Sequence, residues 1–132
     1  MVVVDASAMA DVLLGRPLAP ALRARLFRDD ESLHAPHLID PEVLQAVRRS
    51  VLAGFVTPDL ADTAVREYLD IRLTRHPQDF LLERAWQLRQ NFTVYDAMYV
   101  ALAEVLEAPL VTLDAGLAKA ASRLTVNVEL FA

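Results

Sequence analysis

Short apolar runs and longer amphipathic runs take turns along this chain. Val2–Asp5, Leu33–Ala35, Ile71–Arg75, Leu110–Thr112 and Val126–Val128 are brief, apolar or β-branched, and bounded by polar residues or proline. That is the pattern of strands. Between them lie helical patterns at Ala6–Leu14, Pro20–Arg28, Pro41–Leu52, Pro58–Leu69, Gln78–Arg89, Tyr95–Leu106 and Ala115–Ser122. Val43, Leu44, Val47 and Val51 recur at helical spacing, and so do Leu81, Leu82, Ala85 and Leu88. Tyr95–Leu106 is apolar nearly all round until Glu104, as a buried helix is.

Strands alternating with helices predict a parallel sheet covered on both faces. Val2-Val3-Val4 is wholly apolar until Asp5, as expected of a central strand. A chain of 132 residues with 55% hydrophobic residues predicts one domain over residues 1–132 with one core. In such folds ligands sit at the carboxyl ends of the strands, where the strand order reverses.

Four acids fall at strand ends or helix starts. Asp5 closes the first strand, and Asp114 follows Leu110–Thr112 by two residues. Glu42 lies in the first turn of the helix after the second strand, and Asp96 opens the long apolar helix. Helix capping explains each one singly. Asp40-Pro41-Glu42 reads as an N-cap, a proline at the first helical position and an acid near the helix dipole. Thr57-Pro58-Asp59 repeats it elsewhere, and Thr93 and Asp96 have capping-box spacing. Jointly the four say more. Like charges converging in one crevice must take up protons or bind a cation. Hard oxygen ligands suit Mg²⁺ or Mn²⁺ rather than zinc. Ser7 and Thr112, each two residues from one of these acids, are placed to orient carboxylates or water, although as a first-turn residue and a strand residue they need no such role.

Charge and composition narrow the classes. The net charge is −5, from 18 acids against 13 bases, which argues against a general nucleic-acid binder but leaves room for a local basic face. Every base except Lys119 is arginine. Arg49, seven residues past Glu42 on the same helix face, and Lys119 with Arg123, four apart, are the candidate phosphate contacts; each alone also reads as solvated surface. There is no cysteine, so disulfide scaffolds, thiol catalysis and zinc–thiolate sites are excluded. No secretory signal or membrane span is evident, and a cytoplasmic location is expected. His34 and His37 are separated by Pro36, and His76 lies on a later strand end; all three read as ordinary loop and strand-end residues. Phe80, Leu82 and Trp86 read as core or interface packing and Tyr99 as core, while Tyr95, flanking Asp96, has only a weak claim to touch substrate.

The segments VVVDAS (2–7), Pro41-Glu42-Val43, YDAMYVALAE (95–104) and VTLDAGLAKAA (111–121) together resemble the PIN-domain family, and most closely its small VapC-type toxins of bacterial toxin–antitoxin pairs. The resemblance spans nearly the whole chain, and its last two motifs are the most specific. It implies a three-layer α/β/α fold with a five-stranded parallel sheet. It implies a Mg²⁺- or Mn²⁺-dependent endoribonuclease whose products carry a 5′-phosphate and a 3′-hydroxyl. Asp5, Glu42, Asp96 and Asp114 would be the acidic metal-site and catalytic residues, with Ser7 supporting them. Ala115 and Gly116 stand where some members carry a further acid. The resemblance also implies a homodimer and a small cognate antitoxin seated in the acidic crevice. Two rivals remain. A PIN-like module that only binds RNA or protein would not need four intact acids. A phosphoacceptor receiver would need an acid at a middle strand end, whereas Asp70 precedes its strand. A haloacid-type phosphatase fits less, because Asp5-Ala6-Ser7 lacks a second acid.

Overall fold

A computed structural model describes residues 1–132. Five strands, β1 (Val2–Val4), β2 (Leu33–Pro36), β3 (Leu73–His76), β4 (Leu110–Thr112) and β5 (Val128–Leu130), form one sheet in the order β3-β2-β1-β4-β5, every neighbour parallel. Seven α-helices connect them: α1 (Ala6–Leu13), α2 (Ala19–Leu26), α3 (Ile39–Leu52), α4 (Pro58–Asp70), α5 (Leu82–Gln87), α6 (Val94–Leu106) and α7 (Ala115–Ala121). The chain therefore has the three-layer α/β/α architecture that the alternation predicts.

Sheet order follows from burial. β1 is fully buried and takes the centre, while the polar β3 and the half-exposed β5 take the edges. Successive crossovers run outward from β1 to β3, then jump back across β1 to β4 and β5. Right-handed connections then send α1–α4 to one face and α5–α7 to the other. The contacts agree: α1 packs on α2, α3 and α4, whereas α5 packs on α6, which lies across β1, β2 and β4. One cluster of 31 buried residues fills the interior. No helix is long and apolar enough to cross a membrane.

Several boundaries differ from the pattern reading. β3 starts at Leu73 rather than Ile71, because α4 runs to Asp70 and Ile71 still donates its N–H to the Tyr68 carbonyl. β5 lies two residues later than expected, at Val128–Leu130, where its register with β4 pairs Leu110 with Val128. The Gln78–Arg89 pattern divides into a 3₁₀ turn, Asp79–Leu81, and the short α5. Phe80, Leu82 and Trp86 are each more than half exposed, so they are not core. Asp40 is not a cap either. Helix α3 already begins at Ile39, and the Asp40 carboxylate accepts bonds from the Tyr68 hydroxyl at 2.5 Å and from Arg75 Nε at 2.8 Å. Thr57 and Thr93 do cap, accepting the N–H of Leu60 at 3.2 Å and of Asp96 at 3.1 Å.

Candidate active site

The strand order reverses between β1 and β4, and that gap is where the acids gather. Asp5 follows β1 directly and serves as the N-cap of α1, its Oδ1 accepting the Ala8 N–H at 3.0 Å. Asp114 is the N-cap of α7, its Oδ1 accepting the Leu117 N–H at 3.0 Å. Capping and clustering are thus not alternatives: a cap residue at a strand's carboxyl end already faces the crevice. Glu42 stands in the first turn of α3 and Asp96 in that of α6. All four line a single cleft of about 510 Å³, together with Ser7, Gln45, Arg49, Tyr95 and Tyr99.

Asp5 is the most restrained of the four. It is 5% exposed. Ser7 Oγ donates to its Oδ1 at 2.6 Å, and Thr112 Oγ1 donates to its Oδ2. Each donor is itself tied to the β4 end: Ser7 Oγ accepts the Leu113 N–H at 3.2 Å, and Thr112 Oγ1 accepts the Asp114 N–H at 3.0 Å. The two hydroxyls therefore lock the carboxyl ends of β1 and β4 together around one carboxylate. Oδ2 accepts only one bond and keeps a lone pair unused. Glu42 has a comparable support, because Tyr99, buried on α6, donates its hydroxyl to Oε1 at 2.6 Å. Burial and the neighbouring carboxylate raise the Tyr99 phenol far above its ordinary range, so it remains a donor.

The charges feel one another. Burial pushes the Asp5 carboxyl up; the hydrogen bonds of Ser7, Thr112 and Ala8 draw it back, and Asp114 pushes it further up. Asp96 is raised by burial, then by the charges of Asp114 and Asp5 and, more weakly, Glu42, with Thr93 opposing. Glu42 is raised by burial and by Asp5, and lowered by Tyr99 and by Arg49. Each charge on this rim disfavours the next, and protons or a cation among the carboxylates relieve that repulsion. As they stand, no three acidic or histidine side chains are drawn together closely enough to chelate an ion. They ring the cleft as separate oxygen donors with no imidazole or thiol beside them, a set that suits a hard cation retaining its own waters.

Other candidates sort by position. Arg49 reaches the cleft; Lys119 and Arg123 do not line it. Tyr95 lines it and is 61% exposed. No histidine or lysine lines it. The β2–β3 pairing instead brings His34 Nδ1 to 2.9 Å from His76 Nε2, with Ser32 Oγ 2.9 Å from His34 Nε2, while His37 is exposed. Two residues of the site escape pattern reading. Tyr99 looks only like core, and its place one turn after Asp96 is the single hint of more. Gly116 looks like a missing acid, yet a Cβ there would lie 3.2 Å from Asp114 Oδ1, so its small size leaves that carboxylate room.

Comparison with known proteins agrees with this geometry. A model of the PIN domain matches residues 2–123. The chain is 42% identical over 121 residues to Ribonuclease VapC1 of Mycobacterium tuberculosis, covering 89% of each chain. It is 39% identical over 119 residues to Ribonuclease VapC12 of the same species, covering 90% of this chain and 91% of that one. Its backbone also superposes on the crystal structure of M. tuberculosis VapC20, a sarcin–ricin loop cleaving toxin, with a TM-score of 0.67 over 91% of this chain and 95% of that one; at 16% identity the likeness is one of fold. From its strand order to the motifs that carry its acids, the chain belongs to the PIN-domain family, among the VapC-type proteins.

Proposed function

We propose that this protein is a divalent-metal-dependent endoribonuclease and the toxin of a toxin–antitoxin pair. The observation that carries the reading is the convergence of Asp5, Glu42, Asp96 and Asp114 on one cleft at the β1–β4 reversal, with three of them raised in pKa partly by the charge of the others. The ribonuclease names of the VapC1 and VapC12 relatives support the reaction class.

The four carboxylates would hold one or two Mg²⁺ ions, or Mn²⁺. When bound, such an ion supplies a water of lowered pKa and neutralises charge on phosphate oxygens. The chain's own groups do the positioning. Ser7, Thr112 and the Ala8 N–H fix Asp5 in one orientation. Tyr99 holds Glu42, and Gly116 leaves Asp114 space. Arg49, beside Glu42 at the cleft wall, takes a phosphate of the RNA. In-line attack at the scissile phosphorus then breaks the bond to the 3′ oxygen, leaving a 3′-hydroxyl and a 5′-phosphate.

Outside the cell's RNA, the partner is a small cognate antitoxin with an arginine or lysine aimed at these carboxylates, a strong charge-assisted contact. The exposed apolar side chains of Phe80, Leu82 and Trp86 offer surface for a second copy in a homodimer. The setting is the cytoplasm.

The test is cleavage of total cellular RNA by purified protein freed of antitoxin. Cleavage with Mg²⁺ is expected, abolished by EDTA and by Asp5→Asn or Asp96→Asn, with thermal unfolding showing that the variants fold. A wild-type protein that cuts no RNA under these conditions, yet binds it, would instead be a binding module.

A further inference from the structure

The catalytic cleft does not end at Arg49. A second cavity of about 330 Å³ adjoins it, and the two share Ser7, Ala46 and Arg49 as common wall. Their electrostatics differ. The first is floored by carboxylates. The second carries Arg16 as well as Arg49 against a single acid, Asp11, and these two are the cations lining either cavity. Arg16 is held in place: its Nη2 donates to Ser50 Oγ at 3.0 Å and its Nε lies 3.6 Å from Asp11 Oδ1.

Phe55 lines this groove and is 78% exposed. It is exposed without being loose. Helix α3 ends in a Schellman motif: Gly54 takes φ +78°, its N–H donates to the Val51 carbonyl at 3.0 Å, and the Phe55 N–H donates to the Ser50 carbonyl at 3.0 Å. In that motif the residue after the glycine ordinarily packs on the residue five positions before it. Here that position is Ser50, whose hydroxyl is engaged with Arg16 and with the Ala46 carbonyl at 3.1 Å. The aromatic ring has lost its usual apolar partner, while the backbone beneath it is fixed. A solvent-facing ring on a hydrogen-bonded backbone, lining the same groove as two guanidinium groups, is the combination that binds an unpaired base and its phosphates.

We propose that this groove is a subsite for a single-stranded RNA segment flanking the cleaved bond, with Arg49 and Arg16 on its phosphates and Phe55 stacking one base. The assignment rests on the ribonuclease reading above and names the substrate class of that site. A duplex cannot use it, because its bases are already stacked.

The test measures binding and cleavage separately. Fluorescein-labelled oligouridylates of about four and about twelve nucleotides are titrated onto the full chain in EDTA, spanning the usual single-strand site sizes. The long probe is expected to bind more tightly than the short one. Phe55→Ala should weaken the long probe by roughly 5- to 150-fold, the range for one stacked base, and leave the short one nearly unchanged. Phe55→Trp should retain the wild-type affinity, which separates stacking from a folding defect. Arg16→Ala should weaken the long probe and flatten its salt dependence. With Mg²⁺, Phe55→Ala and Arg16→Ala should raise KM on long RNA and leave kcat within about twofold, whereas Phe55→Trp should keep the wild-type KM. Equal binding of both lengths, equal binding by Phe55→Ala and wild type, or equal affinity for a duplex of the long probe would overturn the subsite. So would loss, in Phe55→Ala, of antitoxin binding alone. A wild type that binds the long probe through Phe55 but cleaves no RNA would overturn the nuclease reading and leave the groove standing.

Discussion

The Tyr99 hydroxyl donates to Glu42 Oε1 at 2.6 Å, joining α6 to α3 across 57 positions of sequence. This bond draws the Glu42 carboxyl down against the burial and the Asp5 charge that raise it. Tyr99→Phe removes the bond and keeps the ring. The expected cost to stability is about 1 kcal/mol, since the half-exposed Glu42 can turn to water. Activity should fall about tenfold. The acid limb of the pH–rate profile should move to higher pH, because Glu42 then holds its proton more tightly. A profile unchanged in position would show that Glu42 does not titrate in the reaction.

Asp5, Glu42 and Asp96 all bind protons more tightly in the folded chain than at their ordinary values of 3.8 for aspartate and 4.5 for glutamate. Folding therefore takes up protons. In chelator, the stability these groups contribute is full below those values and is lost as pH rises through the raised folded values. Relative to Asp96→Asn, wild-type protein in EDTA should lose urea resistance as the pH rises above these ordinary values. Saturating Mg²⁺ should reverse the loss, by about 2.7 kcal/mol at a hundredfold excess over Kd. Denaturation curves at several pH values, with and without the ion, check both halves.

Gly116 sits in the first turn of α7 at an ordinary backbone angle, so alanine there suits the helix. Its Cβ would press on Asp114 Oδ1 from 3.2 Å, a contact relieved only by moving that carboxylate a few tenths of an ångström. Gly116→Ala should therefore leave the melting temperature unchanged or slightly higher while lowering kcat about tenfold, since small misplacements at a reacting centre cost rate steeply. Parallel melting and single-turnover cleavage measure the two effects.

Arg49 lines the cleft, whereas Lys119 and Arg123 do not. Arg49→Ala should raise KM for RNA about fivefold to tenfold and reduce the salt dependence of binding by about one phosphate contact. Lys119→Ala and Arg123→Ala should change KM less than twofold. Equal effects from all three would mean that RNA reaches the cleft over α7 as well as over α3.

Much of this molecule is written in short-range pattern. The alternation of apolar strands and amphipathic helices depends on neighbours two to four positions apart, so it declares the α/β/α class, the central place of Val2-Val3-Val4 and the strand-end positions of Asp5 and Asp114. The likeness of four motifs to the PIN family adds the acid set. Elements at the sheet edges were less legible, because β3 and β5 are half-exposed and lack the apolar run that marks β1. Tertiary structure alone decided which side chain serves which partner. Asp40 has the sequence of a cap, yet it serves Tyr68 and Arg75, 28 and 35 positions away. Thr112 looks like any strand threonine, yet it holds Asp5 across 107 positions. Local spacing cannot encode such pairs. They exist only once the sheet order sets β1 beside β4 and α6 against α3, and burial then requires each enclosed polar atom to find a partner.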